Sequence, residues 1–218
     1  MADLTGSTDR TAFTRKPDRG SHDLSEARTV LAEALIGHIG TVDPSGAPIV
    51  LPVAVALDPD ADRVLFHGST GAGMFRRLAA GAPACLTVTH LDGLVMARSG
   101  FNHSVNYRSA MVLGTAHLVT VDAEKDATLE AFFERLYPGR WAALRPMTAQ
   151  ERKATAVAWV DLAEASAKVR ADVNHDDEGD ETWPAWGGVI PVRTILGEPE
   201  PDAYTPDGMP APVVRLEG

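Results

Sequence analysis

Apolar residues recur with two different periods along this chain, and the switches between them outline its elements. Leu24, Ala27, Val30, Leu31, Ala34 and Leu35 fall at helical spacing with Gly37 following as a stop, which predicts an amphipathic opening helix. Short apolar runs bounded by turn residues then take over. HIGTV and IVLPVAVAL flank DPSGAP, where Asp43, Pro44 and Gly46 supply turn chemistry, and together they read as a hairpin. DPDAD turns the chain into a strand over residues 63–67, and a helix follows near residues 73–80. ACLTVTHL and LVMARS predict a second hairpin across Asp92 and Gly93, and YRSAMVLGTAHLVT reads as a long β-rich run with Gly114 as a bulge or bend. Helical period returns over residues 124–137, with Leu129, Phe132, Phe133 and Leu136 on one face and Pro138 and Gly139 ending it. Thr148 and Glu151 have capping-box spacing, and TAVAWVDL reads as the last strand. Six or seven strands joined by turns, with one helix among them, favour a closed or partly closed antiparallel barrel over a parallel doubly wound sheet.

Composition refines this picture at the ends. Residues 1–22 lack apolar periodicity and predict a flexible arm, residues 23–172 carry the barrel domain, and residues 173–218 form a C-terminal segment expected to dock near the site or on a partner subunit. A net charge of −10 argues against nucleic acid or an anionic membrane as partner, while leaving room for a local basic pocket. The single cysteine, Cys85, allows neither a disulfide framework nor a thiolate metal cluster within one chain. No secretory h-region and no run of about 18 apolar residues is present, so a cytoplasmic protein is expected.

Three stretches carry candidate chemistry. RVLFHGSTGAGMFRRL places a glycine-rich turn before a helix and two arginines, Arg76 and Arg77, in the manner of a phosphate cradle; the alternative is a plain strand-to-helix turn with solvated arginines. Its glycine spacing is not the dinucleotide fingerprint, and the P-loop lysine is absent. His67, at the end of that strand, is placed to act on a substrate, bond a cofactor or meet a neighbouring carbonyl. SGFNHSVNYRS crowds polar side chains between two apolar strands and suits either a polar ligand or strand-end capping. In WPAWGG, Trp183 or Trp186 is expected to dock on the barrel or on a second subunit. The seven histidines show no zinc spacing, so no metal site is expected, and no G-x-S-x-G elbow occurs.

FHGS with its glycine turn, LDGLVMARSGFNHSVNYRSAMVLG, YPGRW, SAKVR and WGGVIP together resemble the FMN-binding split-barrel family of pyridoxamine 5′-phosphate oxidase-like proteins, in the branch of nitroimidazole-resistance proteins. The resemblance spans residues 23–192. It implies a six-stranded antiparallel split β-barrel, a homodimer, and FMN held at the subunit interface. Ser69, Arg76 and Arg77 would meet the phosphate, Leu51, Pro52 and Val53 with Phe66, His67 and Gly68 would line the ring, Tyr107, Arg108 and Ser109 would contribute from the barrel, and Trp186 would close the site. His67 is then the catalytic candidate. The family's basic residue directly after the glycine turn is replaced here by Ala72, Gly73, Met74 and Phe75, and the C-terminal arginine and histidine pattern of vitamin B6 oxidases is missing, which argues against B6 oxidation. The implied activity is reduction of a small electrophile, such as a nitro compound or quinone, with electrons from NADH or NADPH. Other split-barrel proteins use haem, for which His67 or His103 would be the axial ligand, or a deazaflavin, or bind flavin without catalysis.

Overall fold

The structure, a computed structural model, describes residues 8–215. Among the described residues, ten strands form one antiparallel sheet, rolled into a split barrel: β1 (Gly20–Ser21), β2 (Ile36–Val42), β3 (Pro48–Leu57), β4 (Arg63–Ser69), β5 (Pro83–Met96), β6 (Ser104–Thr115), β7 (His117–Leu118), β8 (Thr155–Asp161), β9 (Ala165–Arg170) and β10 (Gly188–Pro191). The order is β1-β9-β6-β5-β2-β3-β4-β8-β7, with β10 added beside β5. The helices are α1 (Leu24–Ala32), α2 (Gly73–Ala79), α3 (Asp122–Leu136), α4 (Arg140–Ala143) and α5 (Ala149–Ala154).

Alternation along the strands sends one face to the barrel interior, where Ile39, Val55, Phe66, Leu86, Val88 and Val112 are buried with Leu31 of α1. A second layer lies outside. α3 covers β3, β4 and β8, and Phe132 and Leu136 pack on Ala56 and Leu65. β4 therefore has two buried faces. Phe66 points inward, at 5.8 Å from the Phe75 ring of α2, while Leu65 and His67 point outward beneath α3.

Several sequence expectations change. The strand count rises to ten because β1, β7 and β10 are too short to carry a periodic signal and β9 follows TAVAWVDL, which is not the last strand. Asp92 and Gly93 do not turn the chain. They form an irregularity in one continuous β5, where the register on β6 moves from Leu91↔Tyr107 to Gly93↔Asn106, and Asp92 is held by Arg108 at 3.0 and 3.1 Å. Gly37 lies inside β2 rather than ending α1, because a side chain there would meet Val55 at 2.9 Å. Gly114 stays in register with Ala84; its missing side chain lets Val160 of β8 approach where the barrel closes. The hairpin turn at Asp43, with Gly46 at φ 87°, and the Thr148/Glu151 capping box form as expected.

The amino-terminal stretch runs against the barrel over its described part. Thr11 is buried, Arg10 pairs with Glu164, and β1 pairs with β9. Residues 1–7 of the expected arm lie outside the described residues.

Phe66→Ala is expected to lower unfolding stability by about 3–5 kcal/mol, read as a fall in the urea midpoint, because the fully buried ring leaves a cavity the two-sided strand cannot collapse.

Candidate functional site

Two cavities of about 520 Å³ flank the β4–α2 region, and they share no lining residue. The first lies beneath α3 and is lined by His67, Leu129, Phe133, Trp141, Leu144 and Met147, with Arg145, Arg152, Asp126 and Thr155 among its remaining walls. His67 reaches it because strand alternation turns its ring away from the barrel interior. The Phe132 ring meets it edge to face with the ring centroids 4.7 Å apart, and Phe133 stacks with its centroid at 6.3 Å. Among the described residues neither ring nitrogen of His67 has a hydrogen-bond partner. Burial pushes its pKa down from 6.5, so at neutral pH it offers an uncharged imidazole to the cavity.

The cationic groups of this cavity are fixed. Arg152 makes a bidentate pair with Asp126 at 2.8 and 2.7 Å, which holds the Asp126 carboxyl below the usual range. Arg145 grips Glu151, whose pKa falls to about 2 through that pairing and the Thr148 backbone N–H of the capping box. Residues 144–148 are thereby held across the cavity edge.

The second cavity is lined by Val42, Asp43, Pro44, Gly73, Arg76, Arg77 and residues 80–83. Several other arginines find carboxylates: Arg63 with Asp58, Arg98 with Asp176, Arg108 with Glu33 and Asp92, and Arg170 near Asp172. Among the described residues, Arg76 and Arg77 pair with none. Arg77 does act on Asp43 through space, adding to the Ser45 hydroxyl and Ala47 N–H that lower the Asp43 pKa, and its guanidinium lies over Gly73, where a Cβ would meet it at 3.0 Å. A side chain at Gly73 would crowd this cradle.

The remaining sequence candidates fall in different places. Leu51 and Pro52 are exposed on β3, Val53 and Phe66 are buried, and Gly68 abuts Phe75 so closely that a Cβ would lie 2.5 Å from its ring. The Ser69 hydroxyl accepts the Gly71 N–H within the turn. Tyr107, Arg108 and Ser109 sit on β6, which β5, β2 and β3 separate from β4 along the sheet. Arg108 is occupied by two carboxylates, and the Ser109 hydroxyl donates to the Lys168 carbonyl. The polar run is largely satisfied internally: His103 bonds Ser99, and the Asn106 amide joins Asp172 to Arg170. Trp186 follows the far end of β5, where Gly188 pairs with Met96, whereas Pro83 at the other end of β5 lines the arginine cavity; about 40 Å of strand lies between. In one chain the constellation splits in two. Trp183 and Trp186 do not dock on the barrel, and remain 65% and 63% exposed.

The profile of pyridoxamine 5′-phosphate oxidases matches residues 23–169. The chain belongs to this family. Among solved structures, this pyridoxamine 5′-phosphate oxidase family member is similar to the flavocytochrome Anf3 from Azotobacter vinelandii, at 40% identity over 96% of this chain and 98% of that one, with a TM-score of 0.88. It is also similar to an FAD- and haem-binding protein from Mycobacterium smegmatis, at 33% identity over 89% and 94% of the two chains and a TM-score of 0.82. A putative 5-nitroimidazole antibiotic resistance protein from Bacteroides thetaiotaomicron, 18% identical over 69% and 86% with a TM-score of 0.57, shares the fold. No curated protein matches the chain. The split-barrel fold expected for the pyridoxamine 5′-phosphate oxidase family is the one observed.

Sequence reasoning missed most of the His67 cavity. Leu129, Trp141, Leu144, Arg145, Met147 and Arg152 come from three separate helices and their connections, and only the convergence of α3, α4 and α5 on β4 and β8 unites them.

The neutral His67 has a pH signature. Below the unfolded-chain value near 6.5 the unfolded state takes up a proton that the buried ring resists, so the stability tied to the neutral ring is complete above pH 6.5 and is lost as pH falls through the lower folded value. The urea midpoint is expected to drop less in His67→Leu than in the unsubstituted protein over that fall, measured by fluorescence at a series of pH values.

Proposed function

We propose that this chain is a two-cofactor redox protein, holding a flavin at the Arg76/Arg77 cradle and a haem in the His67 cavity. The observation that carries the reading is His67: a neutral, largely buried imidazole with no hydrogen-bond partner, opening on an apolar and aromatic cavity, is the donor that haem iron takes. Leu129, Phe133, Trp141 and Met147 give the cavity the apolar and aromatic wall that suits the macrocycle. The names of the two relatives above 30% identity, a flavocytochrome and an FAD- and haem-binding protein, support the same pairing. This moves His67 from partner of the flavin to ligand of iron, and chooses it over His103, which is exposed and bonded to Ser99.

Arg76 and Arg77, adjacent and without a carboxylate partner among the described residues, suit the diphosphate of FAD better than the single phosphate of FMN. Tyr107 and Trp186 reach that cradle only from a second copy of the chain, so the flavin site is completed across a homodimer. When bound, the flavin accepts a hydride and the haem passes single electrons, which together connect NADH or NADPH to a small electrophile of the nitro-compound or quinone type. The chain's own part is to keep an imidazole unprotonated for iron, to seal it beneath α3 and to neutralise phosphate at the cradle.

Purified protein supplied with haem and FAD, then desalted, is expected to keep both a Soret band and flavin absorption. His67→Ala is expected to lose the Soret band and keep the flavin, and the Arg76→Ala, Arg77→Ala double variant to do the reverse. Loss of neither band in either variant would overturn the assignment.

A further inference from the structure

Two stretches of the chain with little regular structure are fastened in different ways. Residues 193–214 are tied at both ends through main-chain groups: Val192 N–H donates to Asp92 O at 3.0 Å, and Arg215 N–H donates to Leu136 O at 2.9 Å. Residues 139–148, which carry α4 and join α3 to α5, are fastened by two carboxylates instead. Glu134, in the last turn of α3, accepts Gly139 N–H at 2.7 Å and Trp141 N–H at 3.1 Å. Glu151, in the first turn of α5, accepts Thr148 N–H at 2.9 Å and both terminal nitrogens of Arg145, at 2.8 and 2.5 Å.

Between these clamps, residues 142–147 form one side of the His67 cavity. Ala142, Leu144, Arg145, Pro146 and Met147 are five of its twelve lining residues. The rest of the wall stands on regular elements: His67 on β4, Thr155 on β8, Arg152 on α5, and Asp126, Leu129 and Phe133 on α3, with Trp141 held to α3 by Glu134 and by its ring 5.5 Å from Phe133. None of residues 142–147 is buried, and only Met147 is half-buried, against Leu129 and Val157. Among the described residues, they make no main-chain hydrogen bond beyond their own stretch. A segment with so few buried apolar groups and main-chain bonds opens at far lower cost than the strands and helix around it.

We propose that residues 142–147 are a gate on the His67 cavity, latched shut by the Arg145–Glu151 pair, through which a planar apolar ligand enters and leaves. Both ends stay joined to helices, so the gate opens by bowing outward between Trp141 and Thr148, which takes Leu144, Pro146 and Met147 out of the wall together. Trp141 stays behind as part of the frame. The latch is light: its side chains are 68% and 43% exposed, and an exposed pair is weak and is weakened further by salt. It holds the wall closed without locking it.

The ligand class rests on the haem reading of this cavity, and the experiment separates the two. Met147→Cys in a Cys85→Ser background puts a single thiol on the gate of the ligand-free protein, and its rate of reaction with uncharged N-ethylmaleimide reads opening. Adding Glu151→Gln, which keeps an acceptor for Thr148 N–H, or Arg145→Gln is expected to speed labelling about two- to fivefold, with far-UV circular dichroism unchanged. The two changes shift local charge in opposite directions, so an acceleration common to both reports the latch and not the thiol's electrostatics. Salt at about 0.5 M is expected to speed labelling only where the latch is intact. In the Met147 protein, the same two changes are expected to raise the rates of haem uptake and haem loss, read at the Soret band, by one common factor. Labelling unchanged by either substitution would overturn the gate whether or not haem binds. Faster labelling with unchanged haem rates would overturn its part in ligand entry. Latch-dependent labelling in a chain that never develops a Soret band would overturn the haem reading and leave the gate standing.

Discussion

Burial of β4 on both faces governs where chemistry can sit in this molecule. A strand with one solvated face would expose His67 to water, where it would titrate as an ordinary histidine. Because α3 closes the outer face, the same alternation that drives Phe66 into the barrel sends His67 into a second apolar layer, next to Phe132 and Phe133. The neutral imidazole, its lowered pKa and its separation from the arginine cradle all follow from that one strand being covered twice. Gly68 belongs to the same arrangement, since any side chain there would strike the Phe75 ring that seals the inner face.

Electrostatics divides the arginines into structural and available ones. In an acidic chain a guanidinium finds a carboxylate easily, and Arg63, Arg98, Arg108 and Arg152 have done so, binding together turns, sheet edges and helices. The Arg108 group, held by Glu33 and Asp92, has a raised pKa from the Asp92 and Glu33 hydrogen bonds and locks α1 to the irregular middle of β5. Arg76 and Arg77 stand apart because α2 presents them to a cavity whose one acidic group, Asp43, is already committed to its hairpin turn.

The barrel was legible in the sequence because its signals are local. Turn residues at Asp43 and Gly46, the capping box at Thr148 and the apolar face of α3 each sit within a few positions of one another. What misled was equally local in form but decided at long range. Asp92-Gly93 reads as a turn until Arg108 and the continuous pairing of β6 hold β5 straight, and Gly37 reads as a helix stop until Val55 is packed against it. The site was legible only in halves. The glycine turn and the arginines lie within ten residues, whereas the cavity around His67 draws on Trp141, Met147 and Arg152, whose approach depends on how three helices settle on the sheet. Arg108 looked like a ligand-binding residue because no linear pattern reveals that Glu33 and Asp92 will neutralise it.

The double anchoring of residues 193–214 also bears on how this chain can change over time. A loop whose two ends are hydrogen-bonded to fixed points on the barrel closes at a cost that grows only with the logarithm of its length, about 0.6 kcal/mol for each doubling. Insertions and deletions between Val192 and Arg215 therefore leave the barrel and both cavities almost untouched, while resetting the surface the loop presents. The segment is free to diversify at a rate the two-sided β4 could never tolerate.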